Sequence, residues 1–283
     1  EKNKNNPYLM GRINTNIMYE IIKNWEWGNS ESKSIYHDPE TRKNSISYRS
    51  NMARLAEKLI DEGKFEKAKE IIDLAIKKMP IEFFGFYSLI PPFIEGYYRL
   101  GETESSRRLF LKIREKYEDK LRYFKSLELE LQYNLAEEIL TEIERYRALI
   151  EVVQDNQDND FLGDCILNFQ NSSQNFIFLY GDYEYYTIMD EFIEGLYLSN
   201  NNIEARKLLL KIAKQYDERF KIISELSEEN QTYLEDRIKE EMDGYRRLIL
   251  YSTIYDKKDF SDSIEKRVFK SISNLKNLES LLN

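Results

Sequence analysis

Few residues in this chain have the types and spacing that chemistry requires. There is one cysteine, Cys165, and one histidine, His37. A thiol nucleophile needs a base beside it, and no sequence motif joins these two. Cys165 therefore reads as a small buried hydrophobe. No glycine-rich phosphate loop, Cys/His metal spacing or serine nucleophile motif occurs. Asp155, Asp158, Asp160 and Asp164 cluster as a cation loop would. A calcium loop needs oxygen ligands at alternate positions around a fixed glycine. Counted from Asp155, the glycine position holds Asp160; counted from Asp158, the fifth ligand position holds Leu162. Both registers fail, and the segment reads as a solvated acidic loop. No catalytic residue, metal ligand or cofactor is assigned, and the chain is read as a non-enzyme.

Binding chemistry has more to work with. Trp25 and Trp27 flank Glu26 near the end of a predicted helix; such rings can stack on sugars or anchor a partner, with core packing or docking as the plainer reading. Glu95 and Tyr98 lie one helical turn apart, as do Glu194 and Tyr197. These six residues are the candidate binding residues. For the tyrosines the plainer reading is packing, and for the glutamates solvation. Arg42, Arg49 and Arg54 suggest a small anion site, with solvated helix-face charges as the plainer reading.

The elements that carry these residues are helices. Five prolines and ten glycines in 283 residues punctuate the chain rather than fill it. In the hairpin from Ser50 to Pro80, Leu55, Ala56, Leu59 and Ile60 precede Gly63, and Phe65, Ala68, Ile72, Ala75, Ile76 and Met79 follow it. Spacings of three and four place each set on one helix face. Large Leu55, small Ala56, turn Gly63, small Ala68 and Ala75 and closing Pro80 match the roughly 34-residue tetratricopeptide pattern. One such unit cannot bury its own faces, so neighbours are required.

A second hairpin starts at Pro91-Pro92 and recurs. Phe192-Ile193-Glu194-Gly195 repeats Phe93-Ile94-Glu95-Gly96 at an offset of 99 residues, and the offset holds without a gap to Asp160-Phe161 and Asp259-Phe260. About a third of the aligned positions are identical. Each copy is predicted to hold a hairpin, a long helix (about Leu127 to Val153, and Leu226 to Ile254) and a further helix. Asn171-Ser172-Ser173 and Tyr180-Gly181-Asp182 read as turns. Before the repeats, Ile13 to Trp27 reads as one helix with Ile17, Met18, Ile21, Ile22 and Trp25 on its apolar side, followed by a polar loop from Ser30 to Thr41. The predicted fold is all-α, a tetratricopeptide-like helical-repeat solenoid with an internal duplication. Residues 1–47 form an N-terminal helix and loop, and residues 48–175 and 176–283 form two repeat units.

Charge and hydropathy narrow the partners. A net charge of −9, with basic residues interleaved among acids, disfavours nucleic acid. No apolar run approaches the roughly 18 residues that span a bilayer. The polar start, Glu1 to Asn6, lacks an initiator Met and an apolar signal region and is expected to be a cut inside a longer protein.

Several runs carry a resemblance: Gly11-Arg12-Ile13-Asn14-Thr15, Met18-Tyr19-Glu20, Asn24-Trp25-Glu26-Trp27-Gly28-Asn29, Ala53-Arg54-Leu55-Ala56, Phe93-Ile94-Glu95-Gly96-Tyr97-Tyr98 and Leu121-Arg122-Tyr123-Phe124. Over roughly residues 8 to 150 the chain resembles the soluble C-terminal region of the bacterial protein O-mannosyltransferase-like multi-pass membrane proteins. That resemblance implies a periplasmic repeat region linked to the membrane only through an N-terminal bundle that this sequence does not include. The family's expected catalytic carboxylates belong to that bundle, so none is carried over. The implied function is a non-catalytic module that holds acceptor polypeptide or an envelope-protein partner. The alternative is a freestanding scaffolding repeat protein unrelated to glycosylation. Two departures stand out: Ile94, Ile113, Ile193 and Ile212 replace small residues of the pattern, and Asn200-Asn201-Asn202 stands where the first copy has Gly101.

Overall fold

The computed structural model describes residues 13–273 and residue 275. The polar start and the Gly11-Arg12 part of the family-like run lie outside the described residues. Helix accounts for 82%, and no strand occurs among the described residues. The chain divides into two compact units, residues 1–120 and 121–283.

The first unit opens with α1 (Thr15–Lys23), α2 (Pro39–Asp61), α3 (Phe65–Lys78), the single turn α4 (Ile81–Phe84) and α5 (Pro91–Arg99). Asp38 starts α2: its carboxylate accepts the Glu40 and Thr41 amides, and Pro39 needs no amide partner at the first helical position. α3 packs along α2, and α5 rests on both. Met52, Leu55, Leu59, Ala68, Ile72, Ala75, Phe93 and Ile94 are fully buried there. Ala68 and Ala75 are small enough to let the helices approach. Ala75→Leu should therefore destabilise the protein by about 1–3 kcal/mol through overpacking, read from the urea midpoint; an unchanged midpoint would contradict this packing.

Next comes α6 (Thr103–Lys125). The second unit continues with α7 (Leu129–Asn134), α8 (Ala136–Asp155), α9 (Asn159–Ser173), α10 (Ile177–Tyr180), α11 (Asp182–Ile188), α12 (Phe192–Leu198), α13 (Asn202–Glu225), α14 (Glu228–Tyr233), α15 (Glu235–Tyr255) and α16 (Lys258–Ile272). α9 packs against α8 and α12, and α16 against α13 and α15. Tyr146, Phe169 and Phe192 meet edge to face at 5.2 and 5.5 Å, while Tyr216, Phe220 and Tyr245 stack with ring planes 10–23° apart.

The turns follow one rule. After α2, the Gly63 amide donates to Ile60 O and the Lys64 amide to Leu59 O; after α5, Gly101 and Glu102 donate to Tyr98 O and Tyr97 O. After α12, Asn200 and Asn201 donate to Tyr197 O and Leu196 O. All three turns need a left-handed residue, and φ is 71° at Gly63, 74° at Gly101 and 62° at Asn200. Asparagine tolerates that region best after glycine, so the exchange of Gly101 for Asn200 keeps the turn.

Four sequence expectations are corrected. α1 buries Thr15, Tyr19 and Ile22, whereas Ile17 and Ile21 are 60% and 52% exposed. The polar anchors decide its face: the Tyr19 hydroxyl donates to Glu70, and Thr15 Oγ1 donates to Glu62 at 2.6 Å. The predicted long helices are each split, between α7 and α8 at Leu135 and between α14 and α15 at Leu234. The short helices have their own task, since Gln132 donates to Leu127 O, just before α7, and Gln231 donates to Ile223 O in the last turn of α13. Asn171-Ser172-Ser173 is the last turn of α9 rather than a loop. α2 begins at Pro39, inside the predicted polar loop.

Candidate functional site

The candidate residues fall in three different settings. In the first unit, α2 and α5 run side by side and leave a groove of about 380 Å³. Its floor is Ala53, Ile60 and Gly96, and its rims carry Arg54, Glu57, Glu95 and Arg99. The small floor follows from helix contact. A Cβ on Gly96 would stand 2.7 Å from Ile72 Cδ1. Glu95 is exposed on the rim, and Arg99 is held by Asp61 at 2.7 Å. Tyr98 is half-buried on the same helix and does not line the groove. Its neighbour Tyr97 is buried and donates to Asp73 Oδ1 at 2.6 Å, and burial together with that carboxylate drives its phenol pKa well up.

In the second unit, Glu194 and Tyr197 are tied into the fold. Tyr197 is buried, stacks on Tyr255 at 5.6 Å and donates to Asp256 Oδ2 at 2.8 Å. The Tyr255 hydroxyl donates to Glu194, and Arg206 pairs with the same Asp256. Burial pushes the Tyr197 phenol up. Burial alone would raise Asp256 too, but Arg206, the Lys257 amide and Tyr197 outweigh it and hold it low. In the sequence, the positions matching Tyr255 and Asp256 in the first copy are Asn156 and Gln157. Equivalence by offset therefore did not carry equal surroundings.

α1 ends at Lys23, so Trp25 and Trp27, expected within the helix, lie instead in the irregular segment that follows it. Their rings meet at 5.6 Å, and Tyr48 of α2 joins them at 5.0 and 6.1 Å. Together they line a recess of about 480 Å³ that also includes Glu26, Tyr36 and Asn44. His37 forms part of its wall: the ring packs on Phe84 at 4.4 Å, and Nε2 lies 2.9 Å from Ser30 O. Sequence reasoning missed Tyr48 and Asn44. Their only signal is the four-residue spacing that puts them on one face of α2.

The arginines correct another expectation. Arg49 is 1% exposed and is neither a solvated charge nor an anion site. Its guanidinium donates to Gly85 O at 2.6 Å, Met79 O at 2.7 Å and Phe86 O at 3.2 Å. Burial lowers its pKa to about 10, so it stays charged at neutral pH. Among the described residues no group of three or more His, Cys, Asp or Glu side chains gathers where a metal would bind, and no helix is long and apolar enough to cross a membrane. Cys165 is buried in α9. No family model, no curated protein and no solved structure matches the chain.

Proposed function

We propose that the chain is a non-catalytic, tetratricopeptide-like interaction module that holds an extended polypeptide in the groove between α2 and α5. The observation that carries this reading is the groove itself. A floor of Ala53 and Gly96 lets a peptide backbone approach closely, and the rim offers carboxylates and guanidinium groups to its amides and carbonyls. The internal duplication belongs to the same proposal. α7 and α14 start and end 99 residues apart, as do α9 and α16, which supports two copies of one helical plan. The resemblance to the soluble region of mannosyltransferase-like membrane proteins extends the reading to a module on the periplasmic side. There it would present acceptor polypeptide or an envelope partner to a membrane glycosyltransferase.

The test is a titration of fluorescein-labelled envelope-protein peptides. Glu57→Arg/Glu95→Arg should weaken binding about tenfold or more without altering the melt, because both residues are exposed. Equal binding by both proteins would move the site elsewhere. Tyr197→Ala is not a suitable probe, since a buried, hydrogen-bonded tyrosine reports on folding. Sugar transfer by the chain alone would overturn the non-enzyme reading.

A further inference from the structure

The aromatic recess lies on the other side of α2. Asn44 and Tyr48 project roughly opposite to Ala53, Arg54 and Glu57 at about 3.6 residues per turn. Peptide held in the α2–α5 groove does not account for it.

We propose that this recess binds a neutral saccharide, stacked on Trp25, Trp27 and Tyr48 and hydrogen-bonded by Glu26, Asn44 and Tyr36. The rings are mutually tilted by 56–73°, so no two are parallel and they cannot sandwich a flat aromatic ligand. A pyranose needs only one ring face for its C–H groups, with further rings flanking it. The polar groups fit the rest of such a molecule. The carboxylate of Glu26, the amide of Asn44, the hydroxyls of Tyr36 and Tyr48 and both indole N–H groups make no hydrogen bond among the described residues. They supply both donors and acceptors, and each sugar hydroxyl uses both. Among the described residues no lysine or arginine lines the recess, which disfavours phosphorylated and acidic ligands. The volume of about 480 Å³ lies in the range of small-molecule sites and is roomy for a methylated ammonium head, which would leave most of the polar lining unused.

The test is direct, because the chain has two tryptophans and both lie here. Their fluorescence should be followed while the full chain is titrated with maltose, cellobiose and chitobiose, and with choline and a polyproline peptide as the competing chemistries. The expected result is a saturable change with at least one disaccharide, half-complete at about 1–10 mM. Asn44→Ala and Tyr48→Ala should each weaken it about tenfold or more with an unchanged melt, since Asn44 is exposed and Tyr48 is 44% exposed. Glu57→Arg/Glu95→Arg should leave the titration unchanged, which separates this site from the groove. Saturation by none of the three disaccharides overturns the proposal. So does saturation by choline or polyproline alone, or sugar binding that survives both Asn44→Ala and Tyr48→Ala.

Discussion

Arg49→Met should cost the fold about 2–5 kcal/mol, roughly 1–3 kcal/mol for each buried carbonyl left without a donor. The arginine side chain is fully buried, yet among the described residues its charge has no carboxylate within hydrogen-bond reach. It is neutralised by backbone carbonyls at the C-terminal ends of two helices, Met79 after α3 and Gly85 after α4, and by Phe86. Helix C-termini carry partial negative charge, so a cation there is favoured. The same three carbonyls bracket a strained turn, since Gly85 has φ 64° and Phe86, a bulky residue, has φ 47°. Methionine would fill much of the volume and leave the Met79 and Gly85 carbonyls buried without that donor, while Phe86 O keeps the Leu89 amide. Arg49→Lys should fall between wild type and Arg49→Met, because an ammonium reaches fewer carbonyls from a single point. Urea unfolding measures both. A loss under about 1 kcal/mol in Arg49→Met would mean that water replaces the guanidinium.

Gly163→Val should cost about 3 kcal/mol and lower the melting temperature by roughly 6–12 °C. Gly163 sits inside α9, facing the turn after α12. A Cβ there would stand 2.2 Å from Asn201 Nδ2, 2.5 Å from Ser199 Oγ and 2.9 Å from Ser199 Cβ. The Ser199 Cβ is fixed to the backbone, and Asn201 Nδ2 is held by Ser199 O at 3.1 Å, so neither can swing aside cheaply. Gly96→Ala is the contrast. Its close neighbour is the mobile tip of Ile72, and helix propensity favours alanine by about 1 kcal/mol, so the expected change is under about 1 kcal/mol. Differential scanning calorimetry of the two variants decides the point. If Gly96→Ala proves the more damaging, the packing assigned to α9 and α12 is wrong.

These two residues show where sequence reasoning ended. Apolar spacing made the helices legible, and the glycine after α2 and after α5 marked their ends, because a left-handed residue is a local requirement. The buried alanines of α3 were legible for the same reason, being small residues at helical spacing. Glu95 on the groove rim and the Trp25–Trp27 pair were also read from local pattern. What stayed hidden depends on contacts distant in sequence. Ile17 and Ile21 looked like the buried side of α1, but Glu62 and Glu70 choose the face that carries Thr15 and Tyr19. Arg49 looked like a solvated charge because its carbonyl partners lie 30 to 37 residues away. For Tyr197 the sequence suggested packing ahead of binding but not its partners, because the tyrosine and aspartate that enclose it come from the end of α15.

The most direct test of the proposed function is amide hydrogen exchange of the chain with and without saturating labelled peptide. The account predicts slowed exchange over residues 50–60 and 88–99, the segments that form the groove, with little change over 24–48. Protection confined to 24–48, or none anywhere, would contradict it.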